Sequence, residues 1–416
     1  MKIGIFVDGD FIPSFDGASN RFHYLSRYLQ KSGVEVVVFH GYRRWSDIEL
    51  IKKEPFKTYC MSIDSYYNDL NFISSLINKE GVDLIQFDNL EPILIQGAKI
   101  AAQTNTHLVS DMHYCVSDLA KDLGATRTRI QQVRKAEELT GKFVDHVICI
   151  NEVDAKKLVT LMSLQKNMIS VVPSGIDLVE IECRDRAKAS DIIFLGNLFF
   201  EPNEQAVRKI HRFIYPILSE MGYKFSIIGD YPESLKEELG NSNDFVFQGT
   251  ISNLNQEFSK ALVALAPIDG GTGMRVKILN YMGAGIPTIA SSKAMSGLSD
   301  VKDIIVEDDI NKYPDLIAML ANNRQKAAVI SRSLRTQAES FYGWDSIASR
   351  VKDIYKEVLN KPIINKTASL HLLSGVNAKE PVWLEEAVQK KRFYAKYPEI
   401  SDDCILIQGG KVNFIR

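Results

Sequence analysis

A glycine-rich segment in the second half of the sequence carries its most informative chemistry. Gly270, Gly271 and Gly273 follow an apolar run, and Arg275 and Lys277 come directly after them. Glycines let the backbone turn tightly and expose its N–H groups, and the helix expected next adds its positive end. Together with the two side-chain charges, this pattern favours an anion site, most simply for a diphosphate. A surface loop in front of a core helix explains the loop alone equally well.

The spacing of the two cations limits what they can reach. Residues two apart on a helix point to different sides, so only one of them would then contact a given phosphate. We expect the loop to extend as far as Arg275, which leaves both Arg275 and Lys277 able to bind one diphosphate.

Composition narrows the class of protein. The chain has 416 residues, which at about 150 residues per domain predicts two domains. Its net charge of -2 disfavours a nucleic-acid binder, whose affinity depends on a basic surface. The five cysteines are scattered and form no Cys-x-x-Cys, which is typical of a reducing cytoplasm. Because no cleavable leader and no apolar run of membrane-spanning length is visible, we expect a cytoplasmic protein.

Apolar runs alternate with helical patterns through both halves of the chain. This alternation predicts parallel sheets covered by helices on both faces, and therefore two doubly wound α/β units. Gly33 and Gly81 follow predicted helices, where left-handed caps are wanted. The predicted strands span residues 3–7, 34–39, 84–87, 108–109, 146–150, 191–195, 225–228, 245–247, 263–266, 288–290 and 303–306. The predicted helices span residues 18–31, 70–79, 93–103, 127–142, 204–221, 254–261, 276–282 and 313–321.

The boundary between the two units is expected near the Pro-Ser-Gly turn that begins at Pro173. This gives an N-terminal domain over residues 1–172, a C-terminal domain over 173–345 and an extension over 346–416. The extension carries a predicted helix within 385–396 and a last strand over 404–408, and the sequence suggests no chemistry for it.

Several motifs occur in the order seen in one family of sugar-transferring enzymes. Residues 277–289 resemble the run Lys-Ile-Leu-Glu-Ala-Met-Ala-x-Gly-x-Pro-Val-Val of the family 4 (group 1) glycosyltransferases, and residues 172–177 resemble their Pro-Asn-Gly-Val-Asp junction. Further matches lie at residues 194–197, 202–207, 227–232, 246–249 and 296–298. They cover most of residues 170–300, whereas the N-terminal half matches weakly.

This resemblance implies a GT-B fold, in which two facing Rossmann-like domains enclose an interdomain cleft. The N-terminal domain would bind the acceptor and the C-terminal domain the nucleotide-diphosphate sugar. A helix over residues 344–359 would cross back to the first domain. Family members retain anomeric configuration and use neither a metal nor another cofactor. The sequence is similar in this respect, because it has no His/Cys cluster and its Asp8-Gly9-Asp10 run lies on the wrong domain for a donor metal.

The resemblance also assigns roles to residues. Arg275 and Lys277 would act in catalysis by stabilising the charge that grows on the leaving diphosphate. Front-face attack, with the departing phosphate taking the acceptor proton, is the mechanism attributed to the family, although a carboxylate nucleophile stays open. The donor-binding residues that the resemblance implies are Gly17, Gly196, Asn197, Gly249, Gly271, Thr272, Gly273 and Asn280.

Three positions depart from the family pattern. Thr272 and Asn280 stand where two glutamates are usual, and Asn197 stands where many members carry an arginine. Asn280 keeps the ability to hydrogen-bond a ribose hydroxyl, but as a neutral partner. These changes leave donor identity and catalytic competence as the questions for the structure.

The acceptor side of the site is expected at strand ends of the N-terminal domain. His113 ends the segment that matches a cleft-lining strand of many relatives, and it would bind a sugar hydroxyl or act as an acid or base. A satisfied core histidine is an equally good interpretation. Asp111, two residues earlier along the strand, and Glu91, after another strand, are the acceptor-binding candidates.

The sequence therefore predicts a metal-independent, retaining hexosyltransferase that uses a UDP-sugar, or alternatively a GDP-sugar. Its acceptor would be a glycan, a lipid-linked sugar or a small molecule, in bacterial polysaccharide or glycoconjugate synthesis. A basic run at residues 127–135 leaves peripheral contact with the inner face of a membrane open, although a solvated helix face explains it better. The alternatives are a sugar-nucleotide epimerase of the same fold and a non-catalytic partner protein related to these transferases.

Overall fold

The computed structural model describes most of the chain as two compact units. The described residues are 1–8, 11–12, 17–41, 47–88, 93–184, 189–240, 242–251, 253–271, 274–298, 300–375 and 404–415. One unit comprises Met1–Pro173 together with Ile347–Arg416, and the other comprises Ser174–Ser346. The C-terminal extension therefore belongs to the first unit. Its predicted helix at 385–396 lies outside the described residues.

The described residues form fifteen strands, nine in the sheet of the first unit and six in the sheet of the second. They are β1 (Lys2–Asp8), β2 (Glu35–Gly41), β3 (Lys57–Met61), β4 (Leu84–Asp88), β5 (His107–Met112), β6 (His146–Cys149), β7 (Ile169–Val171), β8 (Asp191–Leu195), β9 (Phe225–Ile228), β10 (Phe245–Gly249), β11 (Ala261–Ala266), β12 (Thr288–Ala290), β13 (Ile305–Val306), β14 (Ile405–Gln408) and β15 (Lys411–Phe414).

Helices connect the strands in both units. They are α1 (Gly17–Lys31), α2 (Ile48–Ile51), α3 (Ile63–Asn68), α4 (Leu70–Glu80), α5 (Ala98–Thr104), α6 (Val116–Asp122), α7 (Arg127–Thr140), α8 (Glu152–Leu161), α9 (Glu201–Lys209), α10 (Tyr215–Ser219), α11 (Glu233–Leu239), α12 (Leu254–Lys260), α13 (Val276–Gly283), α14 (Tyr313–Asn322), α15 (Arg324–Gln337) and α16 (Trp344–Leu359). Within the described part of the chain, none of these helices is long and apolar enough to cross a bilayer.

The strand order places a switch point inside each sheet. The first sheet runs β15-β14-β3-β2-β1-β4-β5-β6-β7, and the second runs β10-β9-β8-β11-β12-β13. Strands β1 to β7 pair in parallel, as do the strands of the second sheet, whereas β14 pairs antiparallel with β3. In such sheets ligands bind beyond the carboxyl ends of the strands, where the order reverses. For the second unit this point lies between β8 and β11.

Each sheet is buried through its own apolar side chains. The Phe6 ring stacks between Phe39 and Phe87, with ring centroids 4.6 and 4.2 Å apart. All six residues of β11 are buried, and α13 packs Ile278, Leu279 and Met282 into the core beside it. Strands covered on both faces read as continuous apolar runs, which explains why their positions follow from the sequence.

A buried ion pair fastens the C-terminal segment to the first unit. The Asp145 carboxylate accepts hydrogen bonds from the Leu108 N–H at 2.7 Å, the Ile364 N–H at 2.8 Å and the Lys366 ammonium at 2.7 Å. The Lys366 and Asp145 side chains are only 1% and 4% exposed. Because the charges are paired and hydrogen-bonded, they are tolerated in the interior.

Most predicted elements are confirmed, and the misses have physical causes. Gly33 and Gly81 adopt left-handed backbones with φ of 83° and 67°, as expected after helices. The helix predicted over 204–221 is interrupted by a wide π turn, Ile210–Ile214, just before Pro216, which lacks the N–H that a continuous helix needs. A similar turn, Ile93–Gly97, replaces the start of the helix predicted over 93–103. The sequence does not predict strands β3, β7 and β15.

A histidine at the start of β6 makes the stability of the first unit depend on pH. His146 is 3% exposed, and its Nε2 lies 2.9 Å from the Ser170 hydroxyl. Burial, followed by the charge of Lys361, lowers the pKa of His146 to about 4. An unfolded histidine has a pKa of about 6.5, so the unfolded chain binds more protons between these values. The stability contributed by neutral His146 is complete above pH ~6.5 and is lost as the pH falls toward 4.

We therefore expect the first unit to lose about 2 kcal/mol of stability through His146 between pH 6.5 and 5. In His146→Gln this part of the loss should vanish, so that the melting temperature falls less steeply with acidity than in the native protein. Differential scanning calorimetry at pH 7, 6 and 5 measures the slope. His371→Gln, which removes an exposed histidine, should melt with the native slope. An unchanged slope in His146→Gln would show that this residue does not couple stability to pH.

Candidate donor site and buried polar network

The glycine-rich loop lies at the switch point of the second sheet. Strand β11 ends at Ala266, and helix α13 begins at Val276 after Arg275, whose extended backbone has φ of -87° and ψ of 91°. The expectation that the loop extends to Arg275 is confirmed. Because β8 is the neighbour of β11, the turn after β8 and this loop lie at the same edge of the sheet.

Lys277 is the cation at the centre of this edge. Its Nζ donates a hydrogen bond to Oδ1 of Asn203 at 2.7 Å and lies 4.0 Å from the centroid of the Phe194 ring. Removal from water and then the charge of Arg275 hold the pKa of Lys277 well below its usual range. Among the described residues, Lys277 makes no ion pair with a carboxylate. An anionic ligand would supply the missing countercharge.

Arg275 supports the loop from inside. Its Nη2 donates to the carbonyl oxygens of Gly270 at 2.7 Å and Gly271 at 2.9 Å, and the residue is 8% exposed. Gly271 has a φ of 81°, a left-handed backbone that side chains disfavour. The arginine thereby holds the loop in one shape while its charge stays close to Lys277.

Glycines let the strand ends approach these side chains closely. A Cβ atom on Gly196, which follows β8, would lie 2.7 Å from Nζ of Lys277 and 2.9 Å from Nδ2 of Asn203. A Cβ on Gly229, which follows β9, would lie 2.2 Å from the Gly196 carbonyl oxygen. Gly249 ends β10 with a φ of 69°, and its carbonyl accepts the Gly229 N–H at 2.9 Å. The three glycines form one tightly packed edge with Lys277.

Two asparagines complete the description of the donor side. Asn197 shapes the turn after β8, because its Oδ1 accepts the Phe199 N–H at 2.9 Å and its carbonyl accepts Nδ2 of Asn203 at 2.8 Å. Asn280 is half-buried on α13, three residues after Lys277. Residues three apart share a helix face. The predicted donor residues Thr272 and Gly273 lie outside the described residues.

The structure thus brings together Gly196, Asn197, Gly249, Gly271, Arg275 and Lys277 at one edge of the second sheet. Sequence reasoning assigned no role to Asn203, Gly229 or Phe194, which contact this group. The Pro-Asn pair at residues 202–203 belongs to a motif of the family, yet nothing in the sequence shows that Asn203 reaches a lysine 74 residues away.

His113 directly follows β5 in the first unit. It is 9% exposed, and its imidazole stacks on the Phe22 ring with centroids 5.4 Å apart. This position at a strand end is the one expected, and its role toward a ligand stays a prediction. Gly17 begins α1 and is exposed, and its part in donor binding also stays a prediction. Glu91 lies outside the described residues.

Asp111 lies in a buried polar network beneath this strand end. Its carboxylate accepts Nε of Arg21 at 2.9 and 3.1 Å and Nε2 of Gln86 at 3.2 Å, and both ionic side chains are 0% exposed. Arg21 also donates to the Pro173 carbonyl at 2.9 Å, and Tyr355 donates to Oε1 of Gln86 at 2.5 Å. These contacts tie α1, β4, β5 and α16 together. The acceptor role of Asp111 stays a prediction, and its geometry gives it a structural role.

Acidic and metal-ligating side chains do not cluster at the loop. In the ranges that the structure describes, no group of three or more His, Cys, Asp or Glu residues is placed to hold a metal ion. Among the described residues, the charges that face an incoming ligand at this edge are therefore those of Arg275 and Lys277.

Comparisons with known proteins agree with this architecture. The description "Glycosyltransferase Family 4" matches residues 15–180, and "Glycosyl transferases group 1" matches residues 189–323. One curated relative is the phosphatidylinositol N-acetylglucosaminyltransferase component of Arabidopsis thaliana that carries the letter A. It is 18% identical over 389 residues, which cover 85% of this chain and 82% of that protein.

Solved structures share the fold. Anabaena HepE in complex with UDP superposes with a TM-score of 0.67 at 13% identity, covering 86% of this chain and 100% of that one. Sucrose-phosphate synthase from Thermosynechococcus elongatus superposes with a TM-score of 0.68 at 16% identity, covering 86% and 98%. TarM superposes with a TM-score of 0.69 at 10% identity, covering 86% and 99%.

Two Rossmann-like units define a protein of the GT-B fold, as the resemblance implied. The chain belongs to the family 4, group 1 glycosyltransferases, and it is a glycosyltransferase of the GT-B type.

Proposed function

We propose that this protein is a retaining hexosyltransferase that binds a UDP-sugar through the loop of its second unit. The observation that carries the proposal is the Lys277 ammonium, which is held at the switch point beside Arg275 by a neutral amide. A diphosphate supplies the charge that this site lacks. The complexes of HepE with UDP and with UDP-glucose support the uridine nucleotide, and a GDP-sugar is the alternative donor.

The chemistry requires few protein groups. As the bond between sugar and phosphate breaks, positive charge develops on the sugar and negative charge on the leaving diphosphate. Donors fixed in advance toward that charge are worth about 100- to 1,000-fold in rate each, and Lys277 is such a donor. The departing phosphate takes the proton of the acceptor hydroxyl, so the new bond forms on the face that the phosphate leaves. We propose no metal or other cofactor, because Arg275 and Lys277 supply two positive charges.

The other predicted residues have supporting roles in this proposal. Asn280 binds a ribose hydroxyl from the same helix face as Lys277, and Gly196 and Gly249 admit the nucleotide close to the backbone. His113 binds a hydroxyl group of the sugar. The acceptor is a glycan, a lipid-linked sugar or a small molecule of bacterial polysaccharide or glycoconjugate synthesis. The similarity to a phosphatidylinositol N-acetylglucosaminyltransferase component favours a lipid-linked acceptor, reached by peripheral contact with the inner face of a membrane.

The test is a donor assay with product analysis. The protein is incubated with UDP-glucose, UDP-N-acetylglucosamine or GDP-mannose, with and without a chelator, and release of the nucleotide diphosphate is followed. We expect one UDP-sugar to be consumed equally well in chelator. Proton NMR of the transferred sugar should show an α-linkage from the α-configured donor. An inverted product, or loss of activity in chelator, would overturn that part of the proposal.

The same assay distinguishes the alternative function. Thr272 and Asn280 replace the glutamates of the family pattern, which is what a non-catalytic partner protein would show. Tight UDP binding without consumption of any donor in the presence of cell-extracted glycolipids would favour that partner role over the transferase.

A further inference from the structure

Asn203 occupies an unusual position for an uncharged side chain. It is the third residue of α9, is 9% exposed, and lies between the turn after β8 and the ammonium of α13. Its Nδ2 donates to the Asn197 carbonyl at 2.8 Å while its Oδ1 accepts from Lys277 at 2.7 Å. These two bonds fix the amide in one orientation, since a flipped amide would place an N–H group against the ammonium.

We infer that Asn203 is a positioning residue for the donor, a neutral acceptor that fixes the Lys277 ammonium while leaving its charge available to a diphosphate. The inference rests on the proposed function, because it assumes that a diphosphate is what Lys277 binds. It goes beyond that proposal by assigning the residue that keeps the lysine ready.

The surroundings of the ammonium show why a neutral acceptor matters. On one side lies the face of the Phe194 ring, with its centroid 4.0 Å away, and on another the Gly196 backbone. A ring face attracts a cation without neutralising it. A carboxylate in place of the amide oxygen would form a buried salt bridge and compete with the phosphate for the same ammonium. The amide holds the cation without this competition.

The conformational entropy of lysine gives the amide its second effect. A lysine side chain that is free to rotate loses much of its rotational entropy when it is fixed. The hydrogen bond to Asn203 meets this cost before the donor arrives, so less of the phosphate binding energy is lost. Gly196 contributes space, because a Cβ there would lie 2.7 Å from the ammonium.

The experiment compares Asn203→Asp and Asn203→Ala with the native protein. Asparagine and aspartate have nearly the same shape, so Asn203→Asp adds a charge at constant volume. We expect UDP to bind about 10- to 100-fold more weakly to Asn203→Asp, because Lys277 is then already paired. Asn203→Ala removes the acceptor without adding charge and should weaken UDP binding by about two- to tenfold.

The titration of Lys277 gives a readout that needs no ligand. Lysine labelled with carbon-13 at Cε is followed by NMR against pH, with the Lys277 signal assigned from its loss in Lys277→Met. Burial keeps the pKa of Lys277 low in the native protein. The adjacent carboxylate in Asn203→Asp should raise this pKa, whereas Asn203→Ala should leave it low or lower it further.

A matched control separates this effect from a general Asn→Asp disturbance. Asn255 also uses both ends of its amide, donating to the Glu180 carbonyl at 2.7 Å and accepting the Glu182 N–H at 2.9 Å. Asn255→Asp should leave the Lys277 titration and the UDP affinity at native values. If Asn203→Asp changes neither quantity by more than about twofold or a few tenths of a pH unit, the inference is wrong. If the titration shifts while no nucleotide binds any variant, the proposed function fails and the contact stands.

Discussion

Replacing Asp111 with asparagine is expected to lower the free energy of unfolding of the first unit by about 3–5 kcal/mol. Asp111 and Arg21 form an ion pair in which both side chains are 0% exposed. The substitution leaves the arginine charge buried without a countercharge, which is far more costly than losing a surface pair. For a unit of this size, calorimetry should record a melting temperature about 10 °C lower.

Two comparisons make this prediction specific. Asp118→Asn removes a partner from the exposed pair with Lys157, and such pairs contribute about 0–1 kcal/mol. The double variant Arg21→Met/Asp111→Leu removes both charges and should be more stable than Asp111→Asn alone, because buried pairs are often replaceable by apolar side chains. Equal melting temperatures for Asp111→Asn and Asp118→Asn would contradict the buried network as described.

Removing both cations of the loop is expected to abolish the stabilisation of the protein by UDP. A hydrogen bond to a charged group contributes about 1.5–3 kcal/mol, so Arg275→Ala/Lys277→Ala should weaken UDP binding by at least about 100-fold. A ligand present at about 100 times its dissociation constant stabilises by about 2.7 kcal/mol, which a thermal-shift assay detects readily. The native protein should therefore melt higher with UDP, and the double variant should not.

The panel and its controls decide what this experiment means. GDP, ADP, CMP and dTDP serve as competing nucleotides, and Lys326→Met removes an exposed lysine of the same unit that lies on α15. Lys326→Met should respond to UDP as the native protein does. If UDP stabilises the double variant as strongly as the native protein, the nucleotide binds elsewhere and the assignment of the loop is wrong.

The sequence predicts the fold well where burial on both faces writes itself into the composition. The six residues of β11 are all buried and apolar, and α13 keeps an apolar stripe. Strand β3 escapes prediction because it begins with Lys57 and Thr58 and gains its second neighbour only from the distant C-terminal strand β14. The π turns before Ala98 and Tyr215 escape it because a widened turn leaves no periodic signal.

The candidate site is predictable only in its backbone. Glycines, cations and a helix start within one short segment indicate an anion loop without any knowledge of tertiary contacts. The partners of those cations are not predictable, because Asn203 lies 74 residues from Lys277 and Arg275 turns back onto its own loop. Likewise, the spacing along β5 suggests that Asp111 shares the direction of His113, whereas only the fold shows Arg21 against it, 90 residues away.

Calorimetric titration of the native protein and Lys277→Met with UDP and with UMP tests the central claim most directly. The two ligands share the base and the ribose, so the difference in their affinities isolates the second phosphate. We expect the native protein to bind UDP about tenfold or more tightly than UMP, and Lys277→Met to bind both with nearly equal affinity. Equal affinities in the native protein, or a preference for UDP that survives in Lys277→Met, would contradict a diphosphate site built on Lys277.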